Sequence, residues 1–253
     1  MARAKAEVVV RKTDMPVPAD LMEKIRADMA AQAAQVVVGG NRIKFSKTTG
    51  KEFVFPDKSE VKEFEGIVVA FTQVQVMYDA AFEEGKNNNI VCYASAVNPP
   101  DLAPMAGCPD PQAESCAKCP HSKFVGSGKD AQKPACSLRR HLAIMMEGVD
   151  DLLILDLPVL SAKEFDKYSQ STMTLEDRPI YGVVTKFTFD QAVRFSKPLF
   201  SLVDKAHPNV MAQAYTRRDE AWRMLLSPPT FTAAEELPQG KAAVLAAAKK
   251  RAK

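Results

Sequence analysis

Cys116-Ala-Lys-Cys119 is the first place in this chain where residue type and spacing could do chemistry. Two thiols three positions apart let both sulfurs reach one ion while the backbone turns beneath it. Cys136 follows 17 residues after Cys119, a normal distance for a second ligand group. Cys92, Cys108 and His121 are each available as a fourth donor. A structural zinc takes four tetrahedral nitrogen or sulfur ligands, and three thiols with any one of these supply them. Five cysteines in a chain with no recognisable secretory leader point to a reducing compartment, where clustered thiols bind metal or do redox chemistry. A thioredoxin-type pair must follow a strand and open a helix, and Pro120 with its proline-rich surroundings argues against that.

The same segment is basic: Lys118, Lys123, Lys129, Lys133, Arg139 and Arg140 stand against a single Asp130. Sequence-tolerant single-strand binders combine a basic track for phosphates with aromatic faces for bases. The candidates are Phe45 beside Arg42, Lys44 and Lys47, Phe124 beside Lys123 and Lys129, the pair Arg139 and Arg140, and Lys186 next to Phe187. Against each stands an ordinary alternative, core packing for a phenylalanine and a solvated surface for a cation. Enzyme signatures are missing. Only His121, His141 and His207 offer imidazole, and no nucleophile elbow, Walker loop or dinucleotide-binding glycine pattern occurs. Asp150, Asp151 and Asp156 invite a two-metal nuclease reading, but paired acids at a strand entrance read better as a solvated turn. The zinc-deaminase pattern lacks its first half and its glutamate. The expectation is a protein without catalytic turnover.

In order, Cys92-Tyr-Ala, Cys116-Ala-Lys-Cys119-Pro-His-Ser-Lys-Phe124-Val-Gly126-Ser127-Gly128-Lys129, Ala135-Cys136 and Arg139-Arg140 resemble a family of tailed-phage single-stranded-DNA-binding proteins with a zinc-bearing cysteine loop. The resemblance spans residues 36–203, and its specific part is the cysteine loop. It implies an OB-type antiparallel barrel and one structural zinc on Cys92, Cys116, Cys119 and Cys136, with the extra thiol Cys108 in reserve. It further implies sequence-tolerant binding of single-stranded DNA in phage replication or recombination, in the cytoplasm of an infected bacterial host. Replication or recombination proteins and further copies along the strand would be the partners. The alternative is a zinc-stabilised scaffold for other replication proteins that touches DNA little. A near-neutral body favours it.

The elements that must position these residues follow from pattern. The chain has 253 residues, 46% hydrophobic and 26% charged, enough for one elaborated domain or two small ones. No window approaches 18 uncharged apolar residues, so no membrane-spanning helix is expected. Net charge is +3, of which the acid-free tail from Lys241 to Lys253 contributes +5, leaving −2 for the rest. Residues 1–35 read as an arm and a helix opened by the capping box Asp20 and Glu23. Residues 36–205 read as the barrel, with Val36–Val38 and Arg42–Phe45 as a hairpin about Gly39-Gly40-Asn41 and Phe53–Phe55 as a further short strand. Gly66–Tyr78 reads as a long strand, with Ile67, Val69 and Phe71 alternating and a bulge before Val74. Ile90–Tyr93, Asp151–Leu157, Ile180–Phe189 and Lys197–Val203 read as strands, and Leu138–Met146 as a buried segment. A helix from Ser161 through about Ser171 carries its own capping box. The zinc loop, 98–136, has no periodicity, which is abnormal in a compact domain unless something local orders it. Residues 206–253 read as one helix, Val210–Leu226, and the basic tail. The order of elements predicts an α+β fold and lacks regular βαβ alternation.

Overall fold

The computed structural model describes residue 24 and residues 41–80, 88–123 and 134–229. Apart from Lys24, the expected arm and N-terminal helix, Val36–Val38, the tail from 241 to 253, Phe124, Lys129 and Lys133 lie outside the described residues. From residue 41 onward the described chain belongs to one unit, with mixed α+β structure.

Among the described residues there are nine strands: β1 (Arg42–Phe45), β2 (Phe53–Val54), β3 (Glu60–Val61), β4 (Phe64–Tyr78), β5 (Ile90–Ala96), β6 (Cys136–Met145), β7 (Leu153–Leu157), β8 (Val183–Phe189) and β9 (Pro198–Lys205). Three helices accompany them: α1 (Val159–Glu176), α2 (Pro208–Thr216) and α3 (Arg218–Leu225). All strands join one sheet in the order β3-β2-β1-β7-β6-β4-β8-β9, with β5 also on β4. Every pairing is antiparallel except β1 with β7. The sheet curls into a half-barrel.

β4 organises this sheet. Its fifteen residues are rich in β-branched and aromatic side chains, and it pairs along most of its length with β6. On its other edge the first residues pair with β8 and the last with β5. At Gly66 a side chain would meet Ile144 Cγ2 at 2.8 Å and the Met145 carbonyl at 3.1 Å, so only glycine admits this approach of β6. The bulge comes earlier than the sequence pattern predicts: the register against β6 shifts between Val68 and Ala70. One extra residue there inverts the alternation. Phe71 therefore leaves the face of Ile67 and Val69 and packs on Phe165 of α1, with ring centroids 5.2 Å apart.

The inner face of the curl holds the larger core, including Phe53, Phe64, Leu142, Phe165 and Phe187. Rings join opposite ends of the sheet across it: Phe189 of β8 lies 4.3 Å from Phe53 of β2 and 5.7 Å from Phe45 of β1. Phe187 and Phe189 are buried on the face opposite Lys186, as the alternation predicts. The outer face is covered at Ile67, Val69, Ala143 and Ile154 by α2 and α3 through Ala214, Ala221 and Leu225. These two short helices replace the single helix expected over Val210–Leu226; the backbone breaks at Arg217. Leu138–Met146 is mostly strand β6, and α1 begins one turn before the expected capping box, after Pro158. Proline at a helix start loses no hydrogen bond, which explains that earlier boundary.

Candidate metal centre and nucleic-acid face

β5 and β6 flank the second half of β4 on opposite edges, and the described residues that follow β5, 97–123, lie over one face of β4. The cysteines show which. Cys92 of β5 and Cys136 of β6 are both in register with Met77 of β4. Met77 shares the inner face with Gln73, Gln75 and Phe71, because side chains alternate. Cys92 and Cys136 thus rise on either side of Met77, about 10 Å apart at their Cα atoms, two strand spacings.

Above them the crossover sets the C-x2-C pair. Cys116–Lys118 is a 3-10 turn in which Cys119 N–H donates to the Cys116 carbonyl at 3.2 Å. Ser122 Oγ donates to the carbonyls of Cys116 and Cys119 at 3.0 and 2.8 Å, holding the turn closed. Both thiols are buried. Cys92, Cys116, Cys119 and Cys136 line one apolar cavity of about 10 Å³, together with Met77 and Gln75. That is about the room one water or ion needs.

Burial pushes the Cys116 thiol up to about 11 and Cys136 up to about 12, and neighbouring thiols push the same way. Cys92 is raised for the same first reason. A divalent cation among them would reverse that preference, because it stabilises thiolates directly. Gln75 Oε1, buried on the cavity wall, has no hydrogen-bond partner, and a cation's field would compensate such an acceptor. By donor type, number and enclosure the four cysteines fit zinc. They share a cavity without closing on one point: among the described residues no group of three or more His, Cys, Asp or Glu is drawn to metal-ligating spacing.

Cys108 has a different task. Its sulfur accepts from Tyr93 N–H at 3.3 Å and its thiol donates to the Tyr93 carbonyl at 3.2 Å. The same stretch continues with Met105 N–H to the Tyr93 carbonyl and Asp110 N–H to the Val91 carbonyl. The crossover is therefore zipped to the outer edge of β5, which would otherwise expose a row of unpaired amides. His121 lies in the next 3-10 turn and does not line the cavity.

The candidate nucleic-acid residues divide by face. Phe45 faces inward, half-buried against Phe53 and Phe189, so its ring is engaged in the core. Arg140 also faces inward, where Nε and Nη2 hold both oxygens of Asp166 at 2.9 and 3.1 Å and Nη1 donates to Gln73 at 3.0 Å. Lys186 pairs with Glu63 at 2.7 Å. Lys123 is exposed in the crossover.

Arg42, Lys44 and Arg139 fall on the outer face. Arg42 is in register with Ile154, two residues before Asp156, and Arg139 is in register with Val74. Tyr78, half-exposed, follows Val74 and Val76 on that face. Arg139 Nη1 donates to Asp156 Oδ2 at 2.7 Å, and His141 Nε2 lies 3.6 Å from Asp156 Oδ1. Burial, and then the Arg42 and Arg139 charges, drive the His141 pKa down to about 4 against the pull of Asp156. Asp150 and Asp151 sit apart from Asp156 in the turn after β6, where Arg217 Nη1 donates to the Asp150 carbonyl.

Fold and site together define a curled α+β sheet with a four-thiol crossover over its longest strand and a basic group on its outer face. No family model, curated protein or solved structure matches the chain. Sequence reasoning did not find Asp166, Gln73 or the role of Asp156, because carboxylates that partner an arginine across a sheet carry no local signal. It also left Tyr181 unplaced and passed over Tyr215 and Trp222 as site residues; these three rings gather around Arg218.

Proposed function

We propose that this chain binds single-stranded DNA without strong sequence preference, and that one zinc on Cys92, Cys116, Cys119 and Cys136 fixes the crossover that shapes the binding surface. The curled sheet serves in this reading as an OB-type barrel, and the protein acts by binding, without turnover. The observation that carries it is the outer-face group: Arg42, Lys44 and Arg139 fall on the same face of the sheet as the partly exposed ring of Tyr78, three cations and an aromatic around the single carboxylate of Asp156. Lys118 and Lys123, exposed in the crossover, add positive charge outside that group. Replication or recombination proteins, and neighbouring copies along the strand, are the partners this activity calls for.

Fluorescence anisotropy with labelled oligo-dT and a matched duplex tests it. Oligo-dT binds more tightly, and affinity falls with salt at a log–log slope of about −0.7 per phosphate neutralised. Arg42→Ala weakens all sequences alike and flattens that slope. Duplex binding as tight as oligo-dT, or no binding to either at about 50 mM salt, overturns the proposal. A specific observation favours the scaffold reading instead: Arg139, Arg140 and Lys186 already hold Asp156, Asp166 and Glu63, which withdraws three cations from phosphate. A zinc-loaded protein that binds neither nucleic acid would favour that reading.

A further inference from the structure

Arg218 opens α3 and lies among three aromatic rings. Its guanidinium carbon is 4.4 Å from the centroid of Trp222, 5.2 Å from Tyr181 and 5.6 Å from Tyr215. Three elements converge to build this: the 3-10 turn Ile180–Gly182 before β8, the end of α2 and the first turns of α3. Trp222 and Tyr181 are partly buried against the outer core, whereas Tyr215 is 59% exposed. Tyr215 is the open ring of the three, and the other two are anchored below it.

The charge is placed with equal care. The neighbouring Arg217 takes both oxygens of Glu220 at 2.9 and 3.0 Å. That leaves Arg218 with no carboxylate at ion-pair distance among the described residues. An arginine held by ring faces keeps its full charge, and its edge N–H groups stay free of any carboxylate partner. Two shallow grooves flank the cluster. One, of about 460 Å³, runs along Tyr181, Met211 and Tyr215. The other, of about 590 Å³, runs along Trp222, Arg223 and Pro228. Each is within the usual size range for a small-molecule site.

We propose that the Arg218 cluster is a stacking platform for the bases of single-stranded nucleic acid, with Tyr215 and Trp222 as its π faces. The inference rests on the single-strand-binding reading and names residues that reading did not contain. Flat rings alternating with a planar cation match a strand of unstacked bases, since every base offers a π face. Arg218 and Arg223 stand against the one carboxylate of Asp219 in the groove beside Trp222, a net positive charge suited to a polyanion. The platform also borders the proposed surface: α3 lies on the outer face, where Ser95 Oγ donates to the Leu225 carbonyl at 3.2 Å. Ser95 is in register with Val74, which is itself in register with Arg139.

Trp222 is the sole tryptophan, so the chain carries its own reporter. The full-length protein is titrated with oligo-dT, reading tryptophan emission and anisotropy together. Binding quenches Trp222, and Tyr215→Ala weakens affinity about tenfold or more while the salt slope stays unchanged, because a ring is lost and no phosphate contact. Tyr215→Phe restores the affinity, which separates stacking from any fault in folding. Wild-type binding with unaltered emission, or full affinity in Tyr215→Ala, overturns the platform and leaves the single-strand reading standing. Failure of the wild type to bind at all overturns both. Equal quenching by duplex overturns the platform too, because paired bases offer it no free face.

Discussion

The inner core and the cysteine crossover hold chain in opposite ways. In the core, long-range pairing is dense and apolar: Phe64 stacks on Phe187 at 4.5 Å, Phe53 meets Phe64 edge-on at 4.8 Å, and α1 closes the curl with Phe165. The crossover has three single 3-10 turns among its described residues, a few backbone bonds to β5, and small buried groups centred on Cys92, Cys116 and Cys136. Buried area can sustain the first. The second has less buried apolar surface to set against the entropy of ordering such a length, and it is here that the proposed zinc would act as a local crosslink.

The largest effect should come from removing that crosslink. Structural zinc in small domains is worth about 10–16 kcal/mol of apparent binding free energy at neutral pH. Protein purified without added metal should carry one zinc per chain by elemental analysis. Cys92→Ser should release it and open the exposed Lys118 and Lys123 to trypsin, while the core still unfolds cooperatively. Cys108→Ser should keep the metal, since that sulfur serves the Tyr93 backbone. Zinc retained in Cys92→Ser and lost in Cys108→Ser would exchange their roles, and metal-free native protein would remove the distinction between the regions.

Next in size is a cavity in the core. Phe187 is fully buried between Phe64 and Phe200. Phe187→Ala should cost about 3–5 kcal/mol in urea unfolding and leave the zinc content untouched. Loss of zinc in that variant would show the two regions to be one cooperative unit.

The smallest effect belongs to the outer face, between the two regions. His141 of β6 faces Asp156 of β7, Arg139 of its own strand, Arg42 of β1 and Tyr93 of β5. Its folded pKa of about 4 lies below the ordinary 6.5, so the folded state prefers neutral imidazole. That contribution is complete above pH 6.5 and is lost as pH falls from there towards 4. The slope should be at most about 1.4 kcal/mol per pH unit. His141→Gln should flatten the stability profile across that window relative to wild type. Parallel profiles would show that the imidazole is protonated as easily in the fold as out of it.

Much of this was legible in sequence where the signal is local. Alternation in Val183–Phe189 put Phe187 and Phe189 opposite Lys186, and the spacing of Cys116 and Cys119 made one turn of both thiols. The absence of any period across the crossover marked a segment that, among its described residues, forms only 3-10 turns. These follow because the strand repeat of two and the reach of a short turn are fixed by backbone geometry. Tertiary structure alone decided the rest. One bulged residue in β4 set which face Phe71 joins, since each one-residue slip exchanges the two sides of a strand. Pairing on both edges of β4 put Cys92 and Cys136 level with Met77, although 44 positions separate them in the chain. The neighbours Arg139 and Arg140 went to opposite faces, one to Asp156 and one to Asp166, because adjacent strand residues cannot share a side. Arg218 found its three rings only when two helices and a turn met over the outer face, a proximity that no spacing along the chain encodes.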